Sequence, residues 1–178
     1  MILQPKIINK LDKDTLVNFL NSYSLLDQNF TISFNLFFAS KDILKQTQVH
    51  LNDKISIRIK TYLDINNDFL TLDTLSELIS ELDTYFLIAD LLIENKKYKS
   101  ALIVLKSLLS NTINLSNNCD DSNDHLNVFI TETIESILRI ASENKNSKTH
   151  DKITKFLNKQ LDNPTYRSFG YDFLIKQV

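Results

Sequence analysis

Apolar residues recur along this chain at intervals of three and four, the repeat of one helix face, and clusters of Asn, Asp, Ser and Lys separate the runs. Asp12 or Asp14 can cap a first helix over TLVNFLNSYSL, with Leu16, Phe19, Leu20 and Tyr23 on one face. TISFNLFFASKDILKQ predicts a second helix. Phe30, Phe34, Phe37 and Phe38 make it apolar on most sides, which predicts burial. Residues 49–60 carry two patterns. Ile55, Ile57 and Ile59 alternate as in a strand, and Asn52-Asp53 could turn a hairpin. The same pair could cap a helix running through Tyr62 and Leu63. An isolated hairpin is marginal in water without a sheet to join, so the helix is preferred.

Asp64-Ile-Asn-Asn-Asp68 reads as a loop, and Leu72, Leu75, Leu78, Ile79 and Leu82 mark a helix capped by Thr71 or Asp73. Residues 82–109 form two apolar-periodic stretches joined at Asn95-Lys96-Lys97. Residues 111–125, NTINLSNNCDDSNDH, are polar and predict an exposed or disordered loop. Asp124 can cap the next helix, whose stripe is Leu126, Phe129, Ile130, Ile134, Ile137, Leu138 and Ala141. After a polar break at 144–149, a helix from about Lys148 to Leu161 turns Ile153, Phe156, Leu157 and Leu161 inward. Pro164 ends it, and Tyr166–Val178 can add a short capping helix.

Composition agrees with this pattern. Gly170 is the single glycine, and Pro5 and Pro164 are the only prolines. Hairpin-rich β folds and phosphate-cradling loops both need more glycine than this. The expected fold is all-α: antiparallel helical hairpins, either tetratricopeptide-like or an irregular helical bundle. One domain over residues 1–178 is expected. The polar segment 111–123 is also a candidate joint between a 1–110 lobe and a helical pair at 124–178.

The hairpin at 82–109 carries a sharper signal. Tyr85, Ala89 and Leu92 share a face of its first helix, as do Tyr98, Ala101, Leu105 and Leu108 on its second. An alanine at a helix crossing lets two backbones approach. Ala89, Leu92, Tyr98 and Ala101 stand where a tetratricopeptide repeat has its small residue, its large apolar residue, its aromatic near the turn and its second alanine. The stretch therefore resembles one unit of that family. Two positions depart from it: Leu108 replaces a small residue, and Ile113 stands near the place of the helix-ending proline. The pair at 126–161 has a similar layout without the alanine–aromatic register. The resemblance implies stacked helical hairpins whose concave face binds peptides or partner proteins.

Sites of chemistry are sparse. With one cysteine, Cys119, no intramolecular disulfide or cysteine-built zinc site is available, and a reducing, cytoplasmic setting is expected. The N-terminus lacks a signal-peptide core. No apolar run approaches ~18 residues, so no membrane span is expected. A net charge of −2 offers no broad basic field for nucleic acid. The sequons at Asn29 and Asn114 then read as accidental. His50, His125 and His150 lack metal-ligand spacing and read as solvated or capping groups. Cys119, Asp120, Asp121, Asp124 and His125 could activate a thiolate or hold a metal, but nothing apolar shapes a pocket around them. Asp64–Asp68 resembles the start of a calcium loop, then fails at Phe69 and Leu75. The pairs Glu77/Glu81 and Glu132/Glu135 read as solvent-facing helix charge. Lys96, Lys97 and Lys99 cluster at the hairpin turn and could meet an acidic partner. The Phe30–Phe38 group, if exposed, would mark a protein interface.

The expected function is non-catalytic: a protein-protein interaction module, an adaptor or scaffold subunit with protein partners. No catalytic residue, cofactor or metal is assigned. The alternative is a small helical chaperone or regulator of an exported protein. A third possibility, an enzyme or metal protein, would depend on Cys119 and His125.

Overall fold

The computed structural model describes residues 10–176. The expectations for Pro5, the extreme N-terminus and the last two residues lie outside them. The described residues form nine α-helices and one 3-10 helix, with no strand, so the fold is all-α. We number the helices α1 (Lys13–Leu26), α2 (Gln28–Phe38), α3 (Lys41–Ile65), α4 (Leu72–Glu94), α5 (Tyr98–Thr112), α6 (His125–Glu143), α7 (Lys148–Gln160), α8 (Thr165–Ser168) and α9 (Tyr171–Ile175). The 3-10 helix spans Ile113–Asn117.

Helix α5 is the centre of the core. It packs against α3, α4 and α6. Ser100, Ala101, Leu102, Val104, Leu105, Ser107, Leu108, Leu109 and Thr112 are all buried, so it has little solvent face. Its small residues let three neighbours approach closely. Helix α4 is the other arm of the hairpin, with Ala89 and Leu92 fully buried. It is one continuous helix from Leu72, capped by Thr71, so the stripe read at 72–82 and the first arm of the hairpin are one element. Helix α6 packs on both arms, and α7 packs on α6.

Residues 49–60 are helical. They lie inside the 25-residue α3, which buries Thr47, Leu51, Ile55 and Ile59 at four-residue spacing. Ile57, part of the strand-like alternation, points to solvent. Asn52-Asp53 caps nothing, because the helix already starts at Lys41.

Three sequence expectations need correction. The second helix does not run on to Gln46. Ala39 and Ser40 are extended and separate α2 from α3. The phenylalanine-rich helix is not buried all round either. Its buried residues are Ile32 and Leu36, which face the core, while Phe34 and Phe38 are exposed. Helix α1 lies along the phenylalanine side and buries no residue of its own; Phe19 and Tyr23, which share its apolar face, are exposed. Finally, the polar segment after α5 is an ordered strap. Ile113 and Leu115 are buried, and the backbone of Leu70 bonds to both Asn118 O (2.9 Å) and Asp120 N (2.8 Å). Two apolar side chains and two backbone bonds fix a stretch whose composition reads as loop.

The strap also recasts the start of α6. Asp124 occupies the cap position in the left-handed region at φ 58 and makes no side-chain cap. The Asp121 carboxylate does so instead, accepting from Leu126 N and Asn127 N at 2.9 Å each. At the chain's end the expected capping helix is two short ones. Gly170, at φ 78, turns the backbone between them.

Candidate protein-interaction surfaces

The hairpin turn is built by α4's C-terminus. Lys97 N bonds to Leu92 O and Lys96 N to Ile93 O, both at 2.8 Å, and Lys96 is left-handed at φ 56. This is the paired bonding of a Schellman ending, in which the left-handed position is ordinarily glycine. Tyr98 Oη donates to Glu143 Oε2 at 2.7 Å and ties the turn to the end of α6.

Lys96, Lys97 and Lys99 are exposed here. Lys96 and Lys97 border a groove of about 360 Å³ that also takes in Leu36, Phe37, Leu44 and Tyr98. Lys99 lies on this groove and on the next one, a cleft of about 300 Å³ between α3, α5 and α7. That second cleft brings Lys41, Lys45, Lys106 and Lys152 beside Lys99 over Leu44, Leu102 and Ile103. The three ion pairs among the described residues are Arg58–Glu81, Arg139–Asp90 and Lys176–Asp172. None involves a cleft lysine. Lys106 is half-buried, with Nζ 4.3 Å from the Phe156 ring centroid. Burial, and secondarily the Lys152 charge, push its ammonium below the ordinary lysine range. Sequence reading found Lys99 but not Lys41, Lys45, Lys106 or Lys152, which come from three helices remote in sequence.

A second surface lies on α1 and α2. Phe19, Tyr23, Phe30, Phe34 and Phe38 form a chain of neighbouring rings with centroids 4.8–5.9 Å apart. Val17, Leu20, Phe30 and Phe34 line a groove of about 330 Å³ between the two helices. Asp27 is the one charged residue from Thr15 to Ser40. Leu25 and Leu26, at the α1–α2 corner, are more than four-fifths exposed, at 88% and 84%.

The remaining candidates resolve into structural roles. Burial first, then Asp121 and Asp120, raise the Cys119 thiol to about 11, the reverse of an activated nucleophile. His125 Nδ1 shares a 2.8 Å hydrogen bond with Ser76 Oγ, and Asp121 is occupied in capping α6. No group of three metal-capable side chains occurs among the described residues. Asp64 and Ile65 finish α3, and Asn67 and Asp68 turn the chain in the left-handed region. Glu132 and Glu135 are exposed. Glu81 is not simple surface charge. It takes a two-pronged contact from Arg58 and a 2.9 Å bond from Tyr62 Oη, and Arg58 holds its carboxyl below the ordinary value. This clamp joins α3 to α4, and the four-residue spacing of Arg58 and Tyr62 was its only sequence trace. Asn29 Oδ1 accepts from Lys54 Nζ at 2.8 Å and from Tyr85 Oη at 3.3 Å, so this sequon asparagine pins α2 to α3 and α4. No helix among the described residues is long and apolar enough to cross a membrane.

Comparison with protein-family models, curated proteins and solved structures finds no match to this chain.

Proposed function

We propose that this protein is a non-catalytic protein-protein interaction module, an adaptor or scaffold subunit of a larger assembly. The observation that carries the reading is the exposed, nearly charge-free aromatic face of α1 and α2. Contiguous apolar surface of this kind is costly in water and is ordinarily covered by a partner. The tetratricopeptide-like register agrees with the same reading: Ala89, Leu92 and Ala101 are fully buried where α4 crosses α5.

The test is capture from native lysate followed by size-exclusion chromatography with light scattering. Wild type should elute with a stoichiometric protein partner. The double variant Phe34→Asn/Phe38→Asn should keep the helical circular dichroism of wild type and elute alone. A wild-type chain that elutes as a bare monomer counts against the reading. The apolar groove between α1 and α2 also favours a second reading, a chaperone holding an apolar segment of a client. Co-expression distinguishes the two: a chaperone raises the soluble yield of an exported client, while a scaffold does not.

A further inference from the structure

We infer that the lysine-lined cleft between α3, α5 and α7 is a docking site for an acidic amphipathic helix of a partner protein. The inference rests on the interaction-module reading, but it uses a different surface, so the two can fail separately.

The cleft's charge is one-sided. Lys41, Lys45, Lys99, Lys106 and Lys152 line it, and among the described residues no carboxylate does. Asp42 and Asp151, next in sequence to Lys41 and Lys152, are not among the lining residues. The chain as a whole carries −2, so this is a local concentration of positive charge and not part of a general basic surface. Like charges around a concave apolar wall repel each other at short range, and a low-dielectric wall strengthens that field. Lys106 is the extreme case. It is half-buried over Phe156, with Lys152 as its charged neighbour and, among the described residues, no carboxylate in ion-pair range. An arriving carboxylate removes that cost and forms a charge-assisted hydrogen bond.

The floor sets the rest of the ligand. Leu44, Leu102 and Ile103 are apolar, and Leu102 and Ile103 lie on α5 between Lys99 and Lys106. These two lysines are two helical turns apart, about 10 Å along the axis. A ligand helix with leucine-type residues at three- and four-residue spacing fits the floor. Carboxylates about two turns apart on its flanks reach both lysines. Other polyanions fit less well. A phosphate backbone gains nothing from an aliphatic floor, and the lining cations are lysines without the arginine fork suited to phosphate. None of the residues lining the cleft is aromatic, and the Phe156 ring beside it is covered by Lys106, so the site offers no stacking platform. A membrane surface calls for an exposed flat or convex face, and this site is concave.

The test is selection of displayed random peptides on the immobilised full chain, then anisotropy titration of the winning peptide. The expected consensus combines leucine-type residues at helical spacing with flanking Glu or Asp. Its affinity should fall about tenfold in Lys99→Glu and in Lys106→Gln, and should weaken as salt rises. The Phe34→Asn/Phe38→Asn variant should bind it like wild type. Circular dichroism and thermal melts establish that the lysine variants fold, and exposed Lys45→Glu serves as a second reversal. A consensus without acids, or binding indifferent to all three lysine variants, overturns the proposal. So does equal, lysine-dependent binding of inorganic polyphosphate or phosphatidylserine vesicles. Peptide binding that survives while the aromatic face proves partnerless sinks the adaptor reading of that face and leaves this one standing.

Discussion

Cys119 and Lys106 are moved in opposite directions by one cause. Burial disfavours the charged form of each, so the thiol rises and the ammonium falls. For Cys119 the rise from 9.0 to about 11 makes a definite prediction. At pH 8 the thiolate fraction is about a hundredfold lower in the folded chain than in urea, so iodoacetamide should alkylate it correspondingly more slowly. Equal rates in the two states would show that the thiol is not shielded. The same shift is a stability statement. The folded chain keeps its proton where the unfolded chain has lost it, so this contribution is complete below pH 9 and disappears as pH rises through 11. Individual residues were unevenly legible in the sequence. Ala89, Leu92 and Ala101 were marked because their spacing alone places them at a crossing. Lys106 carried no such mark. Its character comes from Phe156 and Lys152 on α7 and from the lysines at the start of α3.

At the scale of elements, periodicity names the residues that share a face but does not say whether the face is covered. Phe34 and Phe38 of α2 therefore read as core, although Ile32 and Leu36, with half-buried Phe37, are the side that meets the molecule. The strap after α5 fails in the opposite sense. Its Asn, Asp and Ser content reads as loop, yet Ile113, Leu115 and the backbone of Leu70 hold it in place. The start of α6 offers a direct check on this. Asp121→Ala removes the acceptor for Leu126 N and Asn127 N and should cost about 1 kcal/mol, as lost helix caps do. Asp124→Gly should be neutral or stabilising, since Asp124 makes no cap and sits at φ 58, a conformation glycine adopts freely. Urea melts of the two variants decide between this arrangement and the capping role that the sequence suggests for Asp124.

On the scale of the whole molecule, α5 is both the centre of the core and a wall of the cleft. Its inward positions Ala101, Leu105 and Leu108 are fully buried against three helices, while Lys99 and Lys106 on its outer edge reach the cleft. For the docking proposed above, an edge carried on the most deeply packed helix would lower the ordering cost of binding. The same packing bears on cooperativity. Helix α6 contacts both arms of the hairpin, so the residues after the strap cannot leave the core without uncovering α4 and α5. Thermal unfolding should therefore be a single transition. With no tryptophan present, tyrosine absorbance gives a second probe beside far-UV circular dichroism, and Tyr166 and Tyr171 place two fully or nearly fully buried reporters beyond the strap. The two signals should coincide. Leu105→Ala should lower both midpoints together, at a cost of about 2–5 kcal/mol, because the cavity opens where every part of the core depends on α5. If tyrosine absorbance instead melted apart from the helical signal, the segments on either side of the strap would be separate folding units, and α6 would only rest on the hairpin.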